Sequence, residues 1–130
     1  MSYQHAVVWV DHQHATVIDF NVDDKHVVTI ASETGQRKLH RRSGVPGSGK
    51  AATDHVFYDE VAAALADARE ILIVGPGNAK SEFHRDLQAR HATIATCVVG
   101  VESADHPSDG ELLAFAKKYF KRIDALRGNV

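Results

Sequence analysis

Residues 71–83 read Ile71-Leu72-Ile73-Val74-Gly75-Pro76-Gly77-Asn78-Ala79-Lys80-Ser81-Glu82-Phe83, and this stretch decides the fold. An unalternated run of β-branched and Leu residues suits a strand buried on both faces, as a parallel strand beneath covering helices must be. Gly75 and Gly77 free the backbone to turn, and Pro76 fixes one φ between them. Phe83 and Leu87, spaced i and i+4, give the following helix an apolar face to lay back on the strand. The unit is strand, tight loop, helix.

Upstream, Ala6-Val7-Val8-Trp9-Val10 and His14 to Phe20 are strong strand signals separated by the polar Asp11-His12-Gln13, which predicts a hairpin. Asn21 to Lys25 is turn-like, and His26 to Ala31 makes a third strand of a meander. Thr53 or Asp54 is the expected N-cap of a helix running to about Arg69, with Phe57, Val61, Ala64, Leu65 and Ala68 on one face. Downstream of the central unit, whose helix is expected from about Lys80 to Arg90, Thr93 to Val99 reads as a fifth strand and Val101 to Pro107 as a connecting loop. Ser108, with Glu111 three residues on, forms a capping box for a last helix. Its apolar stripe is Leu112, Phe115, Ala116, Tyr119, Phe120, Ile123 and Leu126. The order βββαβαβα predicts an α/β fold: a mixed five-stranded sheet with helices packed on it, an order compatible with the ribonuclease-H-like architecture.

Composition agrees with one globular unit. The 130 residues are 44% hydrophobic and 25% charged, with a formal net charge of −2. A chain of this length folded as one domain buries about two-thirds of its unfolded surface. No apolar run is long enough to span a bilayer, and Met1 to His5 has no charged-then-apolar leader, so a cytoplasmic setting is expected. Cys97 is the sole cysteine, which excludes a disulfide framework and a multi-cysteine zinc site.

Residues 33–53 differ in character from their flanks. They lack a period, contain Gly35, Gly44, Pro46, Gly47 and Gly49, and carry Arg37, Lys38, Arg41, Arg42 and Lys50 with no acid between Glu33 and Asp54. Five cations on a Gly-rich segment suit contact with phosphates that does not read bases. The expected RNA-binding set is Arg37, Lys38, His40, Arg41, Arg42 and Lys50; the bland alternative is a solvated loop.

Taken in sequence order, the Ala6–Phe20 hairpin, the basic Gly-rich segment and Val74-Gly75-Pro76-Gly77-Asn78-Ala79-Lys80-Ser81-Glu82-Phe83 resemble the middle domain of archaeal and eukaryotic peptide-chain release factors and their bacterial relatives. In that family a strand runs into Gly-Pro-Gly, and a Lys and then a Phe open the next helix, here Lys80 and Phe83. The resemblance spans roughly Ala6 to Phe120. It implies a translation-linked role, with RNA or the ribosome as partner. Release factors carry a Gly-Gly-Gln tripeptide on the basic loop, where the Gln places water on the peptidyl-tRNA ester. The corresponding segment here, Leu39 to Lys50, has no Gln, and Gly35-Gln36 follows Thr34 and lies too early.

Other residues bear on other chemistries. Gly44, four residues, then Gly49-Lys50 nearly spells a nucleotide-binding P-loop, but Ala51 stands where Ser or Thr must hold magnesium, and no buried strand precedes it. Gly75, Gly77, Asn78 and Lys80 form a second candidate, an anion site at a helix N-terminus, with a plain structural turn as its alternative. His12 and His14 are two apart beside Asp11, without a third firm ligand; His84 and His91 stand about 10 Å apart along a helix, too far for one ion. No metal or cofactor is expected. Asp11 and Glu60 would be the carboxylates of a ribonuclease-H-type nuclease, yet the central strand supplies none. The leading expectation is a non-enzymatic binding domain. Its rivals are a peptidyl-tRNA esterase using His40 or His55, and a protein-interaction module, homo-oligomeric or not, working through a sheet edge or the last helix.

Overall fold

The computed structural model describes residues 4–32 and 55–126. Strands β1 (His5–Val10), β2 (His14–Phe20) and β3 (Lys25–Ala31) form the meander, followed by α1 (His55–Ala64), β4 (Glu70–Gly75), α2 (Ala79–Arg90), a single turn α3 (Ala92–Ala95), β5 (Val98–Ser103) and α4 (Asp109–Leu126). The sheet order is β3-β2-β1-β4-β5. The first two neighbouring pairs are antiparallel, whereas β1–β4 and β4–β5 are parallel. This is the expected mixed five-stranded α/β sheet, of ribonuclease-H-like architecture.

Strand periodicity divides the core into two layers. Ala6, Val8 and Val10 of β1 and Ile71 and Ile73 of β4 face α1 and α2, meeting Phe57, Val61, Leu65, Phe83 and Leu87. Val7, Trp9, Leu72 and Val74 point the other way and are covered by Leu112, Ala116 and Phe120 of α4. Residues 6–10 and 71–75 are all buried. Each such aliphatic side chain contributes about 1.5–3 kcal/mol by leaving water.

Three element boundaries depart from the sequence expectation. The first helix ends at Ala64, not near Arg69: Leu65 and Ala66 donate to Ala62 and Ala63, three residues back, so the helix tightens and stops. The N–H groups of Arg69 and Glu70 then donate to the Gln4 carbonyl, which aligns the start of β4 with that of β1. The expected N-cap at Thr53 or Asp54 lies outside the described residues. The fifth strand is displaced. Thr93 to Ala95 belongs to α3, closed by Thr96 N–H on Ala92 and Thr96 Oγ1 on Thr93, and β5 begins at Val98. It runs on through Val101, Glu102 and Ser103, assigned from sequence to a loop. At Gly100 a Cβ would meet the Tyr119 ring of α4, so the β-branched run breaks at the residue that ring covers.

The last helix begins as expected. Ser108 N–H donates to Glu111 Oε1 at 2.9 Å, and Glu111 N–H to Ser108 Oγ at 3.1 Å. Its stripe is only partly covered: Leu112, Ala116 and Phe120 are buried, but Phe115 is 40% and Leu126 82% exposed.

Asp19 of β2 is a buried exception, with Oδ1 lacking a hydrogen-bond partner. Burial raises its carboxyl from 3.8 to about 6; His26, its cross-strand neighbour, lowers it in part and Asp67 raises it further. Between those two pH values the folded chain keeps a proton that the unfolded chain releases. The stability associated with Asp19 is therefore full below the unfolded value and falls as pH rises through about 6. The expected loss is on the order of 3 kcal/mol. Urea unfolding of Asp19→Asn and the parent, at about pH 4 and pH 7, should show the variant gaining relative stability at the higher pH; equal gaps at both would refute this account.

Candidate nucleic-acid interface

The Gly-Pro-Gly loop sits at the carboxyl ends of β1 and β4. Gly75, the last residue of β4, has φ +158°, and a Cβ there would stand 2.2 Å from the Val10 carbonyl oxygen. Only a residue without a side chain lets the two parallel strands close at this point. Gly77 adopts φ +60°, the left-handed region, with open space around its missing Cβ. The first glycine answers a steric demand and the second a conformational one.

Asn78 then caps α2 without a side-chain hydrogen bond, and its carbonyl accepts from both Ser81 and Glu82 N–H at 3.0 Å. The N–H groups of Ala79 and Lys80 precede any intrahelical acceptor, which leaves two donors at the positive end of the helix. Lys80 Nζ reaches back to the Gly77 carbonyl at 2.5 Å. Glu82 accepts from Tyr58 Oη at 3.1 Å and lies 3.2 Å from His12 Nε2. The loop places Gly75, Gly77, Asn78 and Lys80 beside one acid, Glu82, that is near two side chains, Tyr58 and His12. Sequence reading missed Tyr58 and His12 here, which lie 24 and 70 residues from Glu82.

The basic set, Arg37, Lys38, His40, Arg41, Arg42 and Lys50, lies outside the described residues. Its insertion point is nonetheless defined, because 33–54 joins the end of β3 to the start of α1. His55, the first residue of α1, donates from Nδ1 to Asp86 Oδ1 of α2 at 2.8 Å. The Asp86 side chain is 4% exposed and the imidazole 53%. Beyond it, Arg90 forks onto Asp59 at 2.8 and 3.0 Å and His91 Nε2 lies 2.8 Å from the same carboxylate. Hydrogen bonds from His91 and Arg90 hold the Asp59 carboxyl below its usual value. The pair is solvent-exposed, so it orients α1 on α2 more than it stabilises them.

The remaining sequence candidates are dispersed. His12 lies in the hairpin turn, and His14 opens β2 against the Trp9 ring at 5.0 Å, so the two do not share a strand face. Asp11 Oδ1 accepts the Gln13 and His14 N–H groups at 2.8 Å and shapes the turn. A shallow cleft of about 370 Å³ opens between residues 104–107 and Leu112 and Phe115 of α4. No helix among the described residues is long and apolar enough to cross a membrane.

No protein-family model and no curated protein matches the chain. Solved structures do. The Pelota protein of Thermoplasma acidophilum superposes with a TM-score of 0.60 at 21% identity, over 89% of this chain and 32% of that one. The archaeal translation termination factor aRF1 gives 0.56 at 15% identity, over 95% and 41%. Saccharomyces cerevisiae Dom34, described as a translation termination-like factor involved in RNA quality control pathways and interacting with Hbs1, gives 0.53 at 12%, over 96% and 38%. At these identities the likeness is one of fold, and the chain spans about a third of the length of these proteins.

The two glycines make separable expectations. Gly75→Ala drives a Cβ into a backbone carbonyl that cannot swing aside and should cost about 3 kcal/mol or more. Gly77→Ala meets no atom and should cost about 1–2 kcal/mol for its left-handed φ. Denaturant unfolding of the two variants should give that order; the reverse order would show that β1 and β4 do not close as described.

Proposed function

We propose that this chain is a cytoplasmic, translation-associated binding domain, one release-factor-middle-domain-like unit over residues 1–130, which contacts RNA or the ribosome through the basic segment between β3 and α1. The observation that carries this reading is the charge pattern: five cations and no acid between Glu33 and Asp54, inserted into a fold shared with Pelota and aRF1. Arg37, Lys38, His40, Arg41, Arg42 and Lys50 are the proposed phosphate contacts. The Gly75–Lys80 loop supplies an accessory anion site through its two free N–H groups and Lys80. The lack of a Gly-Gly-Gln tripeptide, with no Gln at all from Leu39 to Lys50, favours binding over ester hydrolysis.

If the cations neutralise phosphates, affinity for single-stranded RNA falls with salt at about −0.7 per contact, so five contacts lose roughly a hundredfold between 50 and 200 mM salt. Arg41→Ala with Arg42→Ala should flatten that slope by about 1.4, and Lys80→Ala by about 0.7. Fluorescence anisotropy across a salt series reads both. Salt-independent binding, or a slope untouched by the double variant, would reject the assignment.

One observation favours a second reading, esterase action on peptidyl-tRNA. Nδ1 of the exposed His55 lies 2.8 Å from the buried Asp86 carboxylate, and a neutral imidazole with its proton held there has Nε2 as an acceptor. A general base needs that arrangement. Release of labelled peptide from peptidyl-tRNA by the parent chain, abolished in His55→Ala with RNA affinity retained, would support it; no release by the parent removes it.

A further inference from the structure

The opposite end of the sheet holds a second concentration of ligating side chains, and we propose that it binds a divalent ion of the zinc class. A ring nitrogen of His5 and carboxylate oxygens of Glu70 and Asp124 lie within 4.8 Å of one another, all half-buried. The fold builds this cluster. His5 and Glu70 are register partners at the starts of the parallel strands β1 and β4, and Asp124 sits in the last turns of α4. Phe120, one turn before Asp124, packs its ring 4.4 Å from that of His5, while Phe20 stacks at 5.5 Å, so the imidazole is clamped.

The geometry suits a shared ion better than a shared proton. His5 Nε2 is shielded from solvent and lies 3.1 Å from Glu70 Oε1, yet it makes no acceptable hydrogen bond. Two ligand bonds of about 2.0–2.1 Å on one ion, opened to roughly 90–110°, separate their donor atoms by about 3.0–3.4 Å. The observed separation falls in that interval, off the axis a proton would require. A divalent cation between Glu70 and Asp124 is attracted by both carboxylates. One imidazole and two carboxylates without thiolate form a donor set for zinc and its neighbours. Such an ion ties the end of α4 to the beginnings of the two central strands and leaves a coordination position for water.

The test uses the full chain, stripped with chelator, titrated with Zn²⁺ by calorimetry and with Co²⁺ by visible absorption. One ion per chain is expected, with a cobalt ligand-field band. Thermal unfolding should shift upward with Zn²⁺ and return with chelator. Glu70→Gln and Asp124→Asn should each weaken binding by more than the roughly 10–100-fold that loss of an outer-shell partner costs. His12→Ala and His14→Ala should leave it unchanged. Asp124→Asn, near the end of a helix, keeps the test decisive should Glu70→Gln fail to fold. Absent stoichiometric binding, or binding unaffected by Asp124→Asn, overturns the proposal.

Discussion

The parallel pairing of β1 with β4 is the constraint from which the remainder follows. From Ala6 to Val10 and from Ile71 to Gly75 both strands are buried on both faces. Two such strands cannot end a sheet or face water, so each face needs a helical layer and each outer edge another strand. The meander supplies one edge and β5 the other. Helices α1 and α2 cover one side and α4 the opposite one. Gly75 is part of the same requirement: the carbonyl of Val10 stands where any side chain would lie.

Much of this was legible before the structure. Runs such as Ile71 to Val74 suit a doubly buried strand once turn residues bound them, and the Ser108–Glu111 capping box marks the start of its helix by local hydrogen bonding. Legibility failed where local preference and tertiary demand diverged. Thr93 to Val99 is rich in β-branched residues, yet its first half closes a helical turn, because Ile94 and Ala95 pack against the core beneath α1 and α2. The first helix looked longer than it is because Leu65 and Ala68 remain buried after the helical hydrogen bonding has stopped.

The site residues divide similarly. Gly75, Gly77, Asn78 and Lys80 are contiguous and could be read from the chain. The pairs His55–Asp86, Tyr58–Glu82 and His5–Glu70 could not, since no periodicity links residues 24 to 65 positions apart; strand register and the α1–α2 packing bring them together. The two ends of the sheet thus differ in character. At the carboxyl ends of β1 and β4 a loop offers backbone N–H donors and a lysine, while at their amino ends an imidazole meets two carboxylates. The same register that closes the sheet also keeps cation-seeking and anion-seeking groups a strand's length apart.

Trp9 adds a property of another kind. It is the molecule's single tryptophan, 4% exposed, its Nε1 donating to the Asp105 carbonyl at 2.7 Å and its ring flanked by His14 and His106. All its cover comes from the α4 side of the sheet. Tryptophan emission therefore watches one layer, since the other holds Tyr58 but no tryptophan. A lifting of the last helix would redden and dim the emission while α1 and α2 stayed in place, giving the protein a built-in optical gauge for one face alone.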